Sequence, residues 1–337
     1  MGFLVRPQTL LMKLASLKDA SRDGTLIVVS RDLTRAVRVS SIAHTLQQAI
    51  EQWDRVCPLL QAVSDALNRQ ERSDAFDLDP EALASPFPRA FQFLDGSVYL
   101  HHMEKARKAR GAEMPPNYKT EPLMYQGLSD RFVGPREPMR IPDESLGLDY
   151  EAELAVVVDD VPMGTPASQA GRHIKLLMLM NDYTLRTLTR SELPKGFGFM
   201  QAKPTSAFSP VAVTLDEVGP AWDGEKLDRP ILSSINGQAV GSANTGRDMF
   251  FTYPMLIAHA ARTRSLSAGT IIGAGAVSNL DPQTGYACLA EKRADEELRD
   301  GKATTPWLKF GDRVRIDMLD ASGASIFGAI DNVVAPG

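Results

Sequence analysis

An acidic pair at the start of a long apolar run is the most informative feature of the sequence. Within residues 148–158, Glu151 and Glu153 stand two positions apart, and Asp149 stands two positions earlier. If the segment is a strand, its side chains alternate between faces, so these carboxylates share one face. Clustered carboxylates suit a hard divalent cation such as Mg²⁺. An exposed edge strand with solvated carboxylates is the alternative, and the spacing leaves both open.

A further carboxylate, Asp182, follows the apolar run at residues 174–180. The density of apolar residues predicts a helix over residues 169–180, with an Asn-Asp pair where the chain leaves the core. Asp182 would there complete a three-carboxylate site with the two glutamates. Taken alone, an Asn-Asp pair is typical of a turn or a helix end. The metal-site interpretation therefore depends on the three acids together.

Histidine and lysine side chains supply the candidate proton-transfer and anion-binding groups. His101 and His102 precede a basic run at residues 104–111. A histidine titrates near neutral pH and can act as a general base, although solvated histidines at a helix start are the simpler alternative. The basic run is either a solvated face or a lid over an anionic substrate. Lys203 either holds a carboxylate or lies exposed in a loop.

Two regions of different character must position these side chains. Residues 12–39 alternate short β-rich runs with turn residues, and residues 40–70 have the spacing of one amphipathic helix or a broken pair. A connector rich in Asp, Pro and Ser follows. Beyond it, strand-like segments dominate, with a second predicted helix at 253–264. The sequence thus predicts a mostly β, α+β fold, with a small N-terminal β-rich domain (1–85) before a catalytic domain (86–337).

Composition and charge exclude several classes of function. The chain has 337 residues and a formal net charge of −5, so it offers no general positive field for nucleic acid or a membrane surface. The glycine-rich run at 273–279 lacks the spacing of a nucleotide-binding loop. Two distant cysteines, Cys57 and Cys288, favour a reducing compartment, and we expect a cytoplasmic protein. We expect no signal peptide or membrane-spanning run, and interpret residues 1–11 as an upstream extension.

Together these segments resemble the fumarylacetoacetate hydrolase superfamily, from about Asp95 to the C-terminus. The combination of E-x-E and N-D at this separation is fairly specific to that family. The N-terminal β unit also looks like the extra domain of its longer members. The matching elements are Glu151-Ala-Glu153, Asn181-Asp182 with Arg186 four residues later, Lys203 ahead of Ser209-Pro210, Ser234-Ile-Asn236-Gly237 and the Phe310-Gly311-Asp312 turn.

The resemblance implies a mixed β-roll catalytic domain, a homodimer and a bound divalent cation. Mg²⁺ is the expected ion, with Mn²⁺ or Ca²⁺ as alternatives. The implied metal ligands are Asp95, Glu151, Glu153 and Asp182. His102 is implied as the general base, with Glu291 orienting it and Lys203 as a further catalytic residue. The implied substrate-binding residues are Tyr125, Arg186 and Lys203.

Three positions depart from the pattern of family members that act on fumarylacetoacetate itself. A Gly-Thr pair in the late glycine-rich turn is Gly275-Ala276 here, which removes a hydroxyl. A glutamine three residues after the arginine is Thr189, and a tyrosine two residues after the aspartate is Ser97. These departures indicate a different substrate or an altered way of holding it.

The resemblance implies a metal-dependent hydrolase that cleaves a carbon–carbon bond of a β-diketo acid through a metal-stabilised enolate, in the catabolism of aromatic compounds. The substrate class is a small anionic diketo acid such as fumarylacetoacetate, fumarylpyruvate or an acylpyruvate. A 2-oxo-enoate hydratase or isomerase, or a 2-oxo diacid decarboxylase, would use the same metal site. A binding module in which the carboxylate cluster is only structural is an alternative of another class.

Overall fold

The computed structural model describes residues 9–337. Residues 1–8, most of the predicted upstream extension, lie outside the described residues. The helices are α1 (Leu46–Ile50), α2 (Trp53–Asn68), α3 (Leu100–Ala109), α4 (Ala167–Ala170), α5 (Arg186–Glu192), α6 (Tyr253–Ala260) and α7 (Leu289–Asp300). The strands are β1 (Lys13–Leu17), β2 (Thr25–Val29), β3 (Arg35–Arg38), β4 (Phe76–Asp77), β5 (Phe93–Ser97), β6 (Leu123–Gln126), β7 (Met139–Ile141), β8 (Leu148–Asp149), β9 (Ala152–Val158), β10 (Ile174–Asn181), β11 (Thr184–Leu185), β12 (Ala207–Phe208), β13 (Ala212–Thr214), β14 (Leu232–Ile235), β15 (Gln238–Gly241), β16 (Ile271–Gly273), β17 (Arg313–Asp317) and β18 (Ile330–Pro336).

Mixed sheets organise the described part of the chain. The largest has the strand order β4-β3-β2-β1-β13-β10-β9-β16-β5-β6, and β12 also pairs with β10. A second sheet has the order β15-β14-β17-β18-β7, while β8 pairs with β11. Most pairs are antiparallel, but β16 runs parallel to β5, and β18 runs parallel to β7. The predicted α+β class with mixed sheets is therefore confirmed.

The N-terminal strands continue the largest sheet. β1, β2 and β3 form the predicted antiparallel unit, and β1 also pairs with β13. One apolar cluster joins Leu14 and Val28 of that unit to Val157 and Met178 of the central strands. Because the two regions share a sheet and a core, each covers apolar surface of the other. The boundary near residue 85 remains a prediction about organisation along the chain.

The predicted helix over residues 169–180 is wrong. Only α4 and a short 3₁₀ turn precede β10, which lies in the middle of the largest sheet. Leu177 and Leu179 face one apolar cluster, and Leu176 and Met178 face another. A strand buried on both faces is apolar at every position, so its sequence lacks the alternation that distinguishes a strand from a buried helix.

The other helical predictions agree with the structure more closely. Residues 40–70 form the broken pair α1 and α2, and the helix predicted at 253–264 is α6, which ends at Ala260. His101 and His102 lie in the first turn of α3, which packs against α7. None of the helices in residues 9–337 is long and apolar enough to cross a membrane.

Candidate active site

Neighbouring strands of the largest sheet bring three buried carboxylates together. Asp95 on β5 and Glu153 on β9 flank Gly273 at the end of β16, and Asp182 directly follows β10. Antiparallel pairing of β9 and β10 places the start of one beside the end of the other, which explains a sequence separation of about thirty residues. One oxygen from each of the three carboxylates lies within 4.8 Å of the others. The structure thus brings together acids from three separate segments.

Two glycines allow this close approach. A Cβ atom on Gly273 would lie 2.5 Å from Asp95 Oδ1 and 3.2 Å from Glu153 Oε2, so a side chain there would displace the carboxylates. Gly275 has φ of +85°, and its N–H donates to Asp95 Oδ1 and Glu153 Oε2, each at 3.0 Å. A left-handed backbone of this kind favours glycine. The glycine-rich run therefore leaves space for the carboxylates of Asp95 and Glu153 and donates hydrogen bonds to them.

The charge balance of this group suits a divalent cation. Burial raises the pKa of Asp95, and Asp182 raises it further; burial and the charge of Asp95 likewise raise the pKa of Glu153. Glu153 Oε1 is buried and has no hydrogen-bond partner among the described residues. Carboxylate oxygens are the ligands that Mg²⁺, Mn²⁺ and Ca²⁺ take. Asp95, Glu153 and Asp182 therefore fit such an ion.

Two basic side chains hold the remaining acid, Glu151. Lys203 Nζ donates to Glu151 Oε2 at 2.6 Å and to Asp182 Oδ2 at 2.5 Å. Arg186 donates to Glu151 Oε1 at 2.6 Å and to Asp149 Oδ2 at 2.9 Å. Burial acts to raise the pKa of Glu151, but Lys203 and Arg186 outweigh it and lower that pKa to about 2. Glu151 is therefore a firmly ionised carboxylate beside the group, and its role as a ligand stays a prediction.

Asp149 does not line the carboxylate group, contrary to the strand argument. Its Oδ1 accepts from the N–H of Leu289 at 2.7 Å, and its Oδ2 accepts from the N–H of Ala290 at 2.9 Å. These donors are the free N–H groups of the first turn of α7. β8 ends at Asp149 and β9 begins only at Ala152, so strand alternation does not extend across the acidic segment.

Tyr125 lies against the same group from the edge strand β6. It stands opposite Asp95 in the β5–β6 pair, and its hydroxyl donates to Asp182 Oδ2. Lys203 Nζ lies 5.4 Å from the centre of its ring. Ser206 Oγ donates to Asp182 Oδ1 at 2.7 Å. Tyr125, Arg186 and Lys203, predicted together as substrate-binding residues, are thus brought around one set of acids.

His102 lies beside Glu291 at the interface of α3 and α7. His102 Nδ1 is 2.9 Å from Glu291 Oε2, while Lys105 Nζ and Ser278 Oγ donate to Glu291 Oε1 at 2.9 and 2.7 Å. Burial acts to raise the pKa of Glu291, but His102 and the hydrogen-bond donors lower it well below the usual range. Glu291 is therefore a carboxylate that only accepts, so Nδ1 of a neutral His102 carries the proton and Nε2 keeps its lone pair.

One loop connects the two groups of side chains. Gly275 contacts the carboxylates, and Ser278, three residues later, contacts Glu291. Three residues span at most about 11 Å. The His102–Glu291 pair and the carboxylates of Asp95, Glu153 and Asp182 therefore lie within reach of one small molecule. His101 also contacts this loop, with its Nε2 at 2.7 Å from Ser278 Oγ.

Several residues of the site are missed by sequence reasoning. Glu192 accepts from the backbone N–H groups of Met200, Gln201 and Ala202 at 2.9–3.1 Å, and so fixes the segment that leads to Lys203. Ser206 and Ser278 are equally inconspicuous in the sequence, whereas Lys105 lies in the basic run that the sequence analysis singled out, and the structure directs it to Glu291. The glycine-rich run was the one available signal, because it indicates close backbone packing next to Ser278.

The sequence also matches models of known protein families. A family model of the fumarylacetoacetate (FAA) hydrolase C-terminal region matches residues 92–335, and a model of the fumarylacetoacetase N-terminal domain 2 matches residues 12–89. An uncharacterised protein of Pyrococcus horikoshii is 26% identical over 223 residues, which cover 65% of this chain and 85% of the relative.

Two named proteins are also similar to the chain. The mitochondrial oxaloacetate tautomerase of Xenopus laevis is 28% identical over 155 residues, or 46% of this chain and 47% of the relative. The structure of maleylpyruvate hydrolase from Sphingobium sp. SYK-6, solved with manganese(II) and pyruvate, matches with a TM-score of 0.63 and 18% identity, and covers 97% of this chain and 100% of that one. With a family model covering most of its length, the chain belongs to the fumarylacetoacetate hydrolase family.

Proposed function

We propose that the protein is a divalent-metal-dependent hydrolase that cleaves a carbon–carbon bond of a β-diketo acid, in the breakdown of aromatic compounds. The observation that carries this proposal is the pairing of His102 with Glu291 beside the group of Asp95, Glu153 and Asp182. A base that can accept a proton from water is thereby combined with ligands for an ion that binds keto acids.

His102 is the proposed general base. Glu291 holds its Nδ1 proton and stabilises the imidazolium that forms when Nε2 takes a proton from water. Ser278 and Lys105 keep the Glu291 carboxylate ionised and fixed in place. Glu291 thus acts through His102.

The resident cation would be held by Asp95, Glu153 and Asp182, with Glu151 as the fourth proposed ligand. When bound, it polarises substrate oxygens and compensates developing negative charge. We propose Mg²⁺, with Mn²⁺ or Ca²⁺ as alternatives; the manganese in the structure of the Sphingobium enzyme supports a divalent ion.

Lys203 and Arg186 supply positive charge for an anionic substrate. Lys203 is buried and Arg186 is half-buried. Burial acts to lower the pKa of each, but nearby carboxylates raise it further, so both are ionised. Lys203, together with the Tyr125 hydroxyl, would hold the substrate carboxylate or the oxygen on which negative charge develops.

The proposed reaction balances without another reactant. Water adds to the distal carbonyl carbon as His102 removes its proton. The bond from that carbon to the neighbouring carbon then breaks, and the electron pair leaves with the neighbouring carbon as an enolate. The enolate takes up a proton, so the products are a carboxylate and a keto acid.

An isomerase, hydratase or decarboxylase acting on a related 2-oxo acid is the second candidate. The similarity to an oxaloacetate tautomerase favours it. These reactions also require an enolate, so the metal site proposed at Asp95, Glu153 and Asp182 does not distinguish them from hydrolysis. The histidine–glutamate pair favours hydrolysis over isomerisation and decarboxylation, because it can activate water, and the products distinguish hydrolysis from hydration.

Two further properties complete the proposal. The substrate is a small anionic molecule, with no role for nucleic acid or a membrane. The protein is a homodimer, as the family resemblance implies. Sedimentation velocity at several protein concentrations tests the second property, and a monomer throughout would contradict it.

A substrate panel tests the proposed function. Purified protein is assayed spectrophotometrically with acylpyruvates, fumarylpyruvate and fumarylacetoacetate, in Mg²⁺ or Mn²⁺ and after EDTA treatment. We expect EDTA-sensitive loss of the diketo absorbance with one carboxylate released per substrate consumed. Turnover of oxaloacetate or a 2-oxo-enoate without any hydrolysis of the panel would instead establish the second candidate.

A further inference from the structure

The histidine of the proposed mechanism belongs to a second group of side chains whose donor atoms can bind a metal ion. Donor atoms of His102, Cys288 and Glu291 lie within 4.8 Å of one another. Cys288 and Glu291 come from the first turn of α7, three residues apart, and His102 comes from α3. These donors are nitrogen, sulfur and oxygen, whereas the group of Asp95, Glu153 and Asp182 offers oxygen alone.

We propose that His102, Cys288 and Glu291 form an inhibitory site for a borderline-soft divalent cation of the Zn²⁺ type. Thiolate and imidazole ligands favour Zn²⁺ and Cd²⁺ over Mg²⁺, while carboxylates alone favour the hard ions. The protein therefore carries two neighbouring sites that select different classes of metal. The inhibitory effect rests on the proposed role of His102, but binding of the ion does not.

The geometry of these donors needs little adjustment for zinc. Tetrahedral ligands about 2.0–2.1 Å from zinc lie roughly 3.3 Å apart, and His102 Nδ1 is now 2.9 Å from Glu291 Oε2. Lys105 and Ser278 both donate to the other oxygen of Glu291, so His102 Nδ1 is the one described partner of Oε2, and an ion bound between these two atoms would replace that hydrogen bond. Cys288 Sγ accepts only the N–H of Glu291, at 3.4 Å, among its described contacts.

An ion would enter from the histidine side and would block catalysis there. His102 is 16% exposed, whereas Cys288 is fully buried behind it. On binding, the thiol of Cys288 loses its proton to solvent and the thiolate bonds to the metal. Whichever ring nitrogen of His102 binds the ion, no lone pair remains to accept a proton from water. Zn²⁺ should thus inhibit even when Asp95, Glu153 and Asp182 hold their own cation.

Cysteine variants separate this site from other metal effects. Cys288→Ser keeps an acceptor at the start of α7, and Cys57→Ser is the matched control, because Cys57 is also buried but lies in α2. With saturating Mg²⁺, we expect Zn²⁺ to inhibit the wild type and Cys57→Ser alike. Cys288→Ser should need at least about tenfold more Zn²⁺, since even outer contacts of a metal site contribute 10–100-fold to affinity. Equal inhibition of Cys288→Ser would overturn the proposal.

Direct binding is measured with Cd²⁺, whose thiolate complexes absorb in the ultraviolet. In Cys57→Ser the only thiol is Cys288, so a saturable charge-transfer band there, weakened in a further His102→Asn variant, supports the site. Absence of the band in Cys57→Ser would overturn it, whether or not Cys288→Ser folds. Because the band requires no turnover, it separates failure of this site from failure of the proposed hydrolase activity.

Discussion

The contact between His102 and Glu291 is the one on which the proposed chemistry depends most directly. His102→Asn removes the base and should lower kcat by about 10²–10⁴-fold, the usual contribution of general base catalysis. Glu291→Gln should lower it less, because the amide oxygen still accepts the Nδ1 proton. Neither change alters Asp95, Glu153 or Asp182, so calorimetric titration should give unchanged Mg²⁺ or Mn²⁺ affinity. A His102→Asn variant with wild-type kcat would contradict the assignment.

Lys203 contributes both to the stability of the folded protein and to the proposed chemistry of the site. Lys203→Met leaves Glu151 and Asp182 buried without their shared cation, which should cost about 3–5 kcal/mol of unfolding free energy in EDTA. Added Mg²⁺ should recover part of this loss, whereas kcat should remain low. Urea unfolding with and without metal measures the effect, and the exposed Lys309→Met is the control. Equal stability of wild type and Lys203→Met in EDTA would refute the account of charge balance.

At the scale of single residues, spacing predicts only part of the site. Glu151 and Glu153 are conspicuous because acids rarely begin a buried strand. Asp95 and His102 stand seven residues apart, on β5 and α3, whereas Glu291 comes from α7 near the other end of the chain. The contact of His102 with Glu291 depends on the packing of α3 against α7, and the contact of Asp95 with the other acids depends on sheet order. Local spacing carries no information about such contacts. His102 was therefore only one of two candidate bases by residue type, and Asp95 and Glu291 were predicted through family resemblance alone.

At the scale of elements, the segment between α5 and Lys203 is held in its conformation by one carboxylate. Glu192 accepts three backbone N–H bonds, which lower its pKa although burial opposes this. Since the folded pKa lies below the unfolded value of about 4.3, the stabilisation is complete above that pH and is lost as the pH falls through the folded pKa.

The difference in Tm between wild type and Glu192→Gln therefore depends on pH. Glu192→Gln should cost about 2–3 kcal/mol near pH 7, because hydrogen bonds to a charged acceptor are lost or weakened. The Tm difference should shrink as the pH falls below about 4. Glu113→Gln, at an exposed position, should show no such trend. A difference that is constant with pH would contradict the role of the Glu192 carboxylate.

Element prediction succeeded where one face of an element is exposed to solvent, and depended on residue composition where both faces are buried. α2 has a clear apolar stripe, and its helical spacing identifies it. β10 packs against apolar clusters on both faces, so its composition is the same as that of a buried helix. β9 is equally buried, and its many valines, which favour strands, distinguish it from a helix.

At the scale of the whole molecule, the shared sheet and core predict one cooperative unit. Leu14→Ala in β1 should lower the unfolding free energy by about 2–5 kcal/mol, as for other buried leucines. Circular dichroism and tryptophan fluorescence should give the same shifted midpoint. Leu59→Ala, at an exposed position of α2, should change little. Two separate transitions would show that the N-terminal region folds as an independent unit.

The most direct test of the proposed hydrolase activity follows the oxygen of water. The active substrate of the panel is turned over in H₂¹⁸O with Mg²⁺, and the products are analysed by mass spectrometry. The account predicts one ¹⁸O atom in the newly released carboxylate and loss of the reaction in His102→Asn. Conversion of substrate to an isomer, or loss of CO₂, with no labelled carboxylate released would contradict carbon–carbon bond hydrolysis.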